Sequence, residues 1–522
     1  LIFNRKVIYM KNVLEYLEAS ALGSPDKIAV KDDKESCTYS ELLNISKALG
    51  FLLSSHIHHE KPVAVMLKKS VLTLVFFFGS VYAGGFYSLI DPDFPVPRIK
   101  NILSVLEPEA VITSDEYLDK LKESGYEGNI FIGTELRSSA ALQDPDSEEL
   151  RKSLSVIREK QSPSAPLYCN FTSGSTGVPK GVLVGHASVI SFIDSFTELF
   201  NITGEDVIGN QAPFDFDVSV KDIYSCMKCG ATMVIIPTAF FRLPNGVMDM
   251  LDDNKVTTLI WAVSALVLLN RLHEFMYKIP SCINKVLFSG EEMPPKHLAD
   301  WMNVYPDAEF VNLYGPTEVT CNCSYYRVPK NIQPEEKLPA GFTFPGKTIT
   351  LLGDDGNIIP NDSEENIGEI CVGGNELALG YYRNPEVTNA AFIESTDSDG
   401  SVNRLYKTGD LGYWKDGLLY FAGRRDFQIK HNGHRIELEE IERALNSLPE
   451  ILQACCIYDE ARYRIIAFCT GTNDKKLIVE GLKKILPDYM LPNIYKFMDE
   501  LPLTKNGKID RNNLRSLVTA KG

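Results

Sequence analysis

Residues 171 to 181 read Phe171-Thr-Ser-Gly-Ser-Thr-Gly-Val-Pro-Lys-Gly181. Four of these residues carry hydroxyls, Thr172, Ser173, Ser175 and Thr176, and three are glycines, Gly174, Gly177 and Gly181. Residues without a Cβ let backbone N–H groups converge on an anion, the hydroxyls add donors, and Lys180 adds a point positive charge. The stretch therefore suits phosphate. It is not a Walker A loop, which needs Gly immediately before the Lys and Ser or Thr after it; Pro179 and Gly181 stand in those places. Gly, Ser, Thr and Pro also make flexible linkers, and these residues alone leave that alternative open.

On either side of the loop, short apolar β-branched runs alternate with helical patterns. Val63 to Leu67 and Ala110 to Thr113 precede it, and strands are expected near 207 to 211, 232 to 236, 257 to 261 and 285 to 288. That alternation predicts parallel sheets covered by helices. Thr38-Tyr-Ser-Glu-Leu42 opens a predicted helix through Leu53 with Ser40 as its N-cap, and residues 134 to 166 read as a polar surface excursion. Residues 71 to 90 carry no charge, and about 20 such residues can cross a bilayer. Gly84 and Gly85 interrupt the run, so a buried helix to about Ala83 and a strand at Phe86 to Ile90 are expected instead. Beyond Gly341, paired glycines and short β-branched runs predict a barrel-like subdomain, followed after Gly423 by a shorter α+β unit.

At 522 residues the chain exceeds what one core supports, and ordinary sizes suggest about three or four compact units. The net charge of −16 argues against nucleic acid or an anionic membrane as a partner. Eleven cysteines without a framework read as reduced thiols, which together with no cleavable signal predicts a cytoplasmic protein. Cys226-Met-Lys-Cys229 has zinc-like spacing but no second ligand pair nearby, and His56, His58, His59 and Glu60 read as a surface loop, so no structural metal is expected.

Further blocks stand in a fixed order along the chain: Thr38-Tyr-Ser-Glu-Leu42, Tyr82 to Asp91, the loop at 171 to 181, Phe216-Asp-Val-Ser219, and Asn312-Leu-Tyr-Gly-Pro-Thr-Glu318. Gly368 to Gly374 with Gly380-Tyr381, Tyr406-Lys-Thr-Gly-Asp-Leu411, Gly423 to Lys430 with Gly433 to Glu442, Leu486 to Pro492, and Asn506-Gly-Lys-Ile-Asp-Arg511 complete the series. It resembles the core motifs of nonribosomal peptide synthetase adenylation domains, in the adenylate-forming superfamily that also holds acyl-CoA synthetases and firefly-type luciferases. Ser88 departs from the usual proline region of the second block. The D-alanine carrier-protein ligase of teichoic acid modification shares the order.

The resemblance implies an α/β fold: a large N-terminal domain of parallel-type sheets with a barrel-like β subdomain, residues 1–424, and a small mobile α+β domain, residues 425–522. It implies ATP-dependent activation of an amino acid as aminoacyl-AMP, then transfer to the phosphopantetheine thiol of a carrier protein or neighbouring carrier domain. The expected roles follow motif by motif. Thr172, Ser173, Gly174, Ser175, Thr176, Gly177 and Lys180 would hold the β- and γ-phosphates; Asn312, Tyr314, Gly315 and Thr317 the adenine end; Asp410 and Arg424 the ribose region. Lys508, Thr176 and Glu318 would be catalytic, Glu318 as ligand to Mg²⁺, and Asp426 would be the hinge. The amino-acid pocket would comprise Asp217, Val218, Lys221, Ile260, Leu287, Ser289, Leu313, Cys321 and Asn322, with Trp261 replacing Ile260 after a one-residue slip.

These residue types suit the chemistry. A carboxylate attacking the α-phosphorus brings two anions together while charge grows on phosphate oxygens, so cations must be positioned there. Asp217 would anchor the substrate ammonium, which separates this reading from acyl-CoA synthesis. Lys221 would either face a polar or acidic substrate side chain, glutamate among them, or pair with Asp217 or Asp222 at the rim. A non-catalytic scaffold of the same fold is the rival from another class; intact Lys508, Glu318, Asp410 and Thr176 argue against it.

Overall fold

The computed structural model describes residues 10–519 other than 175–177, 333–336, 362, 364–365, 397–401, 461 and 504–508. The uncharged run divides as its glycines predict, into a helix at Val71–Tyr82 and a strand at Phe86–Leu89. The helix has 12 residues, about 18 Å at 1.5 Å per residue, and its Phe76, Phe77 and Phe78 are fully enclosed. No helix among the described residues is long and apolar enough to cross a membrane.

Two large sheets carry the N-terminal part. Among the described residues one has nine strands, parallel through Glu309–Tyr314, Lys285–Ser289, Thr258–Ala262, Val207–Asn210, Thr232–Ile235 and Ile28–Lys31, with antiparallel edges. The other has seven and is parallel from Asn129–Ile132 through Ala110–Thr113, Pro62–Val65 and Phe86–Leu89 to Pro166–Thr172, after which Lys180–Gly185 returns antiparallel. Helices Tyr39–Leu53, Val71–Tyr82, His186–Leu199 and Val218–Cys229 supply buried side chains to one cluster that joins both sheets. An antiparallel sheet built on Lys347–Leu352, Gly368–Gly374, Phe392–Thr396, Val402–Lys415 and Leu418–Arg424 forms the barrel-like part. Beyond it come the hairpin Gln428–His431 and His434–Glu437, then three strands with their own apolar core.

Two local expectations are corrected. The helix from Tyr39 is capped by Thr38, not Ser40: the Thr38 hydroxyl accepts from Glu41 N while Glu41 reaches back to Thr38 N, a capping box. Residues 134 to 166 are no loose excursion, since helices at Gly133–Ala141 and Glu148–Lys160 cover the N-terminal core. In the second, Leu150 is buried and Leu154, one turn on, packs on the same cluster, a narrow apolar stripe within a charged sequence.

Candidate active site

The C-terminal ends of the parallel strands of the large sheet open onto a cavity lined among others by Asp217, Ser289, Gly315, Asn322, Asp410 and Arg435. Crevices at strand carboxyl ends are where open α/β sheets bind ligands. The strand Glu309–Tyr314 runs into Gly315, where an added Cβ would lie 2.5 Å from Asn322 Cα. Only glycine allows the returning chain that close. The return is made by Thr320 and Cys321, both at positive φ (56° and 71°), with the Thr320 hydroxyl anchored to Glu376 O at 2.6 Å. Cys321 and Asn322 are thereby laid against the cavity.

Of the expected amino-acid pocket, Asp217, Val218, Ser289, Cys321 and Asn322 line this cavity. Asp217 is the residue before the helix Val218–Cys229. Burial pushes its carboxyl above the usual range, and Lys221 and the Thr317 hydroxyl offset that only in part. Ile260, Leu287 and Leu313 are buried behind the cavity in one cluster. Sheet register decides between Ile260 and Trp261: Ile260 aligns with Leu287, and Ser289 with Leu313 two residues on, so these side chains share a face. Trp261 packs in a different cluster and donates from Nε1 to Gly209 O at 2.7 Å. Lys221 takes neither expected place. It is fully buried, its Nζ donates to Asn322 Oδ1 at 2.8 Å, and it forms no ion pair with Asp217 or Asp222 among the described residues.

Among the residues expected to hold the nucleotide, Tyr314 donates to Asp410 Oδ2 at 2.6 Å, and Arg424 bonds the other Asp410 oxygen. Asn312 Nδ2 donates to Pro339 O at 2.9 Å. Arg424 also forks onto both oxygens of Asp426, at 2.7 and 2.9 Å, in the segment between the barrel-like sheet and the hairpin. Thr172 pairs with Lys180 across the ladder that flanks the glycine-rich loop. Ser173 is buried and donates to Arg435 O at 2.9 Å, and Gly174 O accepts from Arg443 at 3.1 Å. Ser175, Thr176, Gly177 and Lys508 lie outside the described residues.

Glu318 is almost fully buried, accepts from the Tyr381 hydroxyl at 2.7 Å, and is forked by Arg435 Nη1 at 2.8 and 3.0 Å. Burial would raise its pKa, but the Arg435 charge and the Tyr381 hydroxyl bring it below the ordinary value. Arg435 comes from the hairpin, whose Asn432-Gly433 turn has both residues at positive φ, 52° and 79°. Its polar face brings Gln428, Lys430 and Arg435 to the cavity, with Arg435 Nε donating to Gln428 Oε1 at 2.6 Å. His434 stacks on Tyr489 at 3.7 Å, and Arg98 forms an enclosed ion pair with Glu440 at 2.9 Å. From this block the motifs single out Arg424 and Asp426 and not Arg435; the alternation Gln428, Lys430 and Arg435, Glu437 about an Asn-Gly turn was the available signal.

Glu318 offers Mg²⁺ two carboxylate oxygens, the ligand type that this ion takes alongside substrate phosphates. Arg435 holds both of those oxygens here.

The sequence profile described as AMP-binding enzyme matches residues 17–382, and that of the AMP-binding enzyme C-terminal domain matches residues 440–508. A relative from Bacillus cereus, "Zwittermicin A synthase ZmaJ", is 33% identical over 98% of this chain and 95% of its own. The "D-alanine--D-alanyl carrier protein ligase" of Staphylococcus aureus is 32% identical over 98% of this chain and 100% of its own. Among solved structures, the Vibrio cholerae adenylation domain AlmE, in complex with glycyl-adenosine-5'-phosphate, superposes with TM-score 0.81 at 20% identity, covering 98% of both chains. The Klebsiella oxytoca NpsA-ThdA adenylation-PCP fusion does so with TM-score 0.81 at 20% identity, covering 98% of this chain and 96% of that one. The chain belongs to the AMP-binding enzyme family, as an adenylate-forming ligase of the adenylation-domain type.

Proposed function

We propose that this protein condenses an amino acid with ATP to aminoacyl-AMP and pyrophosphate, then passes the aminoacyl group to the phosphopantetheine thiol of a carrier protein for peptide assembly. The observation that carries the reading is Asp217, a carboxylate in the cavity wall that forms no ion pair among the described residues and whose pKa is raised by burial. A substrate ammonium would supply the missing charge. Ser289, Cys321 and Asn322 beside it leave a compact, polar floor, with Lys221 held behind Asn322. The side chain selected is therefore polar.

Lys508 would neutralise the reacting carboxylate and α-phosphate, and the unit from 425 to 522 would turn about Asp426 between the two steps. Thr172 to Lys180, Thr176 included, would hold the outer phosphates, and Tyr314, Asn312, Gly315, Thr317, Asp410 and Arg424 the nucleoside. When bound at Glu318, Mg²⁺ would neutralise phosphate charge. A second hollow of about 590 Å³, lined among others by Pro213, Phe241, Val263, Leu268 and Asn432, meets the hairpin turn and suits a pantetheine arm. Free cysteines and the use of ATP suit the cytoplasm as the protein's compartment.

A second reading, D-alanine activation for a teichoic-acid carrier, is favoured by the Staphylococcus aureus relative, which matches along its full length. Amino-acid-dependent ATP–pyrophosphate exchange over the proteinogenic set plus D-alanine separates the two. A polar L-amino acid as best substrate supports the first; D-alanine above all others supports the second; no amino-acid dependence overturns both.

A further inference from the structure

Glu291 stands where the two hollows abut. It lines the apolar groove together with Asn432, while the adjoining residues Gly290 and Gly433 line the cavity that holds Asp217. One of its oxygens accepts the Gly433 N–H at 2.7 Å. The other makes no hydrogen bond among the described residues and is left to the groove. We propose that Glu291 accepts the proton of the incoming thiol in the thioester-forming step, a role that rests on the carrier-loading reading above. The S–H bond breaks with its proton passing to Glu291, sulfur bonds to the carbonyl carbon of the aminoacyl adenylate, and the C–O bond to AMP breaks, AMP leaving as its phosphate anion. Glu291 then returns the proton to water in the groove.

The surroundings favour this residue over its neighbours. Burial raises the Glu291 pKa, and the Gly433 amide and the Lys430 charge offset that only in part, so it takes a proton more readily than a free carboxylate. Tyr458 and Tyr463, from the C-terminal unit, face the same group, and Glu291 raises the pKa of both. Of the hairpin histidines, burial depresses His434 to about 3 and packing holds it between Tyr489 and Phe216, while His431 is lowered by burial and engaged by Asn432 and Tyr458.

The test uses the full chain loaded with its aminoacyl adenylate and free pantetheine as acceptor, with pyrophosphate exchange measured in parallel. In Glu291→Gln, consumption of the adenylate by pantetheine should fall about 100-fold at pH 7, far more than exchange does. The deficit should shrink by up to about tenfold per pH unit as thiolate forms unaided, because the thiolate is the nucleophile. Glu291→Asp should recover part of the rate. A deficit constant across pH would mean that Glu291 only positions the hairpin and would overturn the proposal, as would a Gln variant equal to wild type. Wild type lacking amino-acid-dependent exchange would instead sink the parent reading, and this one with it.

Discussion

Glu318 and Asp217 stand close enough that the charge of one raises the pKa of the other, yet the chain provides for them differently. Glu318 receives a guanidinium from the hairpin and a tyrosine hydroxyl, and its carboxyl stays below its ordinary pKa. Asp217 has a hydroxyl and the charge of Lys221, which forms no ion pair with it among the described residues, and is still pushed up. A buried carboxylate left unpaired is costly, so a site that keeps one expects its partner from outside. The difference teaches where each cation comes from: the hairpin serves Glu318 in this arrangement, and on the proposed reading the substrate would serve Asp217. A third cation, Lys508, belongs to residues outside those described, and the motif series alone assigns it to the reacting carboxylate.

The largest effect expected is that of Lys508→Ala, which should abolish pyrophosphate exchange while leaving the thermal transition in place, because the sequence around it, Thr504-Lys-Asn-Gly-Lys508, is polar throughout. Exchange near wild type would remove Lys508 from the chemistry. Asp217→Ala should come next. Removing one partner of a buried charge pair costs about 2 to 5 kcal/mol, or roughly 30- to several-thousand-fold in kcat/KM for the amino acid. Its raised pKa also sets a sign: as pH falls, Asp217 protonates earlier than an ordinary carboxylate, so KM for the amino acid should climb from a higher pH than the usual range predicts. A KM flat down to the ordinary carboxylate range would contradict an ionised anchor.

Arg435→Met sharpens the other half of the comparison. Glu318 has a lowered pKa in the folded chain, so the pair stabilises it above the unfolded carboxylate value and that contribution is lost as pH falls through the folded one. Denaturation should show the variant less stable by about 3 kcal/mol at pH 7, with the gap closing below about pH 4. An equal gap at both pH values would mean that lost packing, not the charge, is responsible. The smallest effect is expected from Lys221→Met, which leaves Asn322 without its donor and should move substrate rank toward apolar amino acids by about tenfold. An unchanged rank order would show that Lys221 supports the pocket without selecting.

The family resemblance grouped Asp217, Ser289, Cys321 and Asn322 in one pocket, and they do line one cavity, at the crevice that strand carboxyl ends leave in an open α/β sheet. Sequence alone could not choose between Ile260 and Trp261, since a one-residue slip reverses every side chain and only pairing with Leu287 sets the face. Nor could it foresee Arg435 on Glu318, a contact across 117 residues that depends on how the hairpin docks. The helix Glu148–Lys160 was hidden for a different reason: its apolar stripe is narrow and its other positions are charged, which imitates a loop. Lys221 was read as choosing between the pocket and an aspartate, and a neutral amide took it instead.

The central claim is that the cavity recognises an ammonium through Asp217 before it activates a carboxylate. Pyrophosphate exchange measured with the preferred amino acid and with its des-amino analogue, at equal concentration and pH 7.5, tests that most directly. The account predicts exchange with the amino acid and at least about 100-fold less without the ammonium, the cost of leaving a buried carboxylate unpaired. Equal exchange with both acids would contradict it and return the protein to the acyl-activating side of its family.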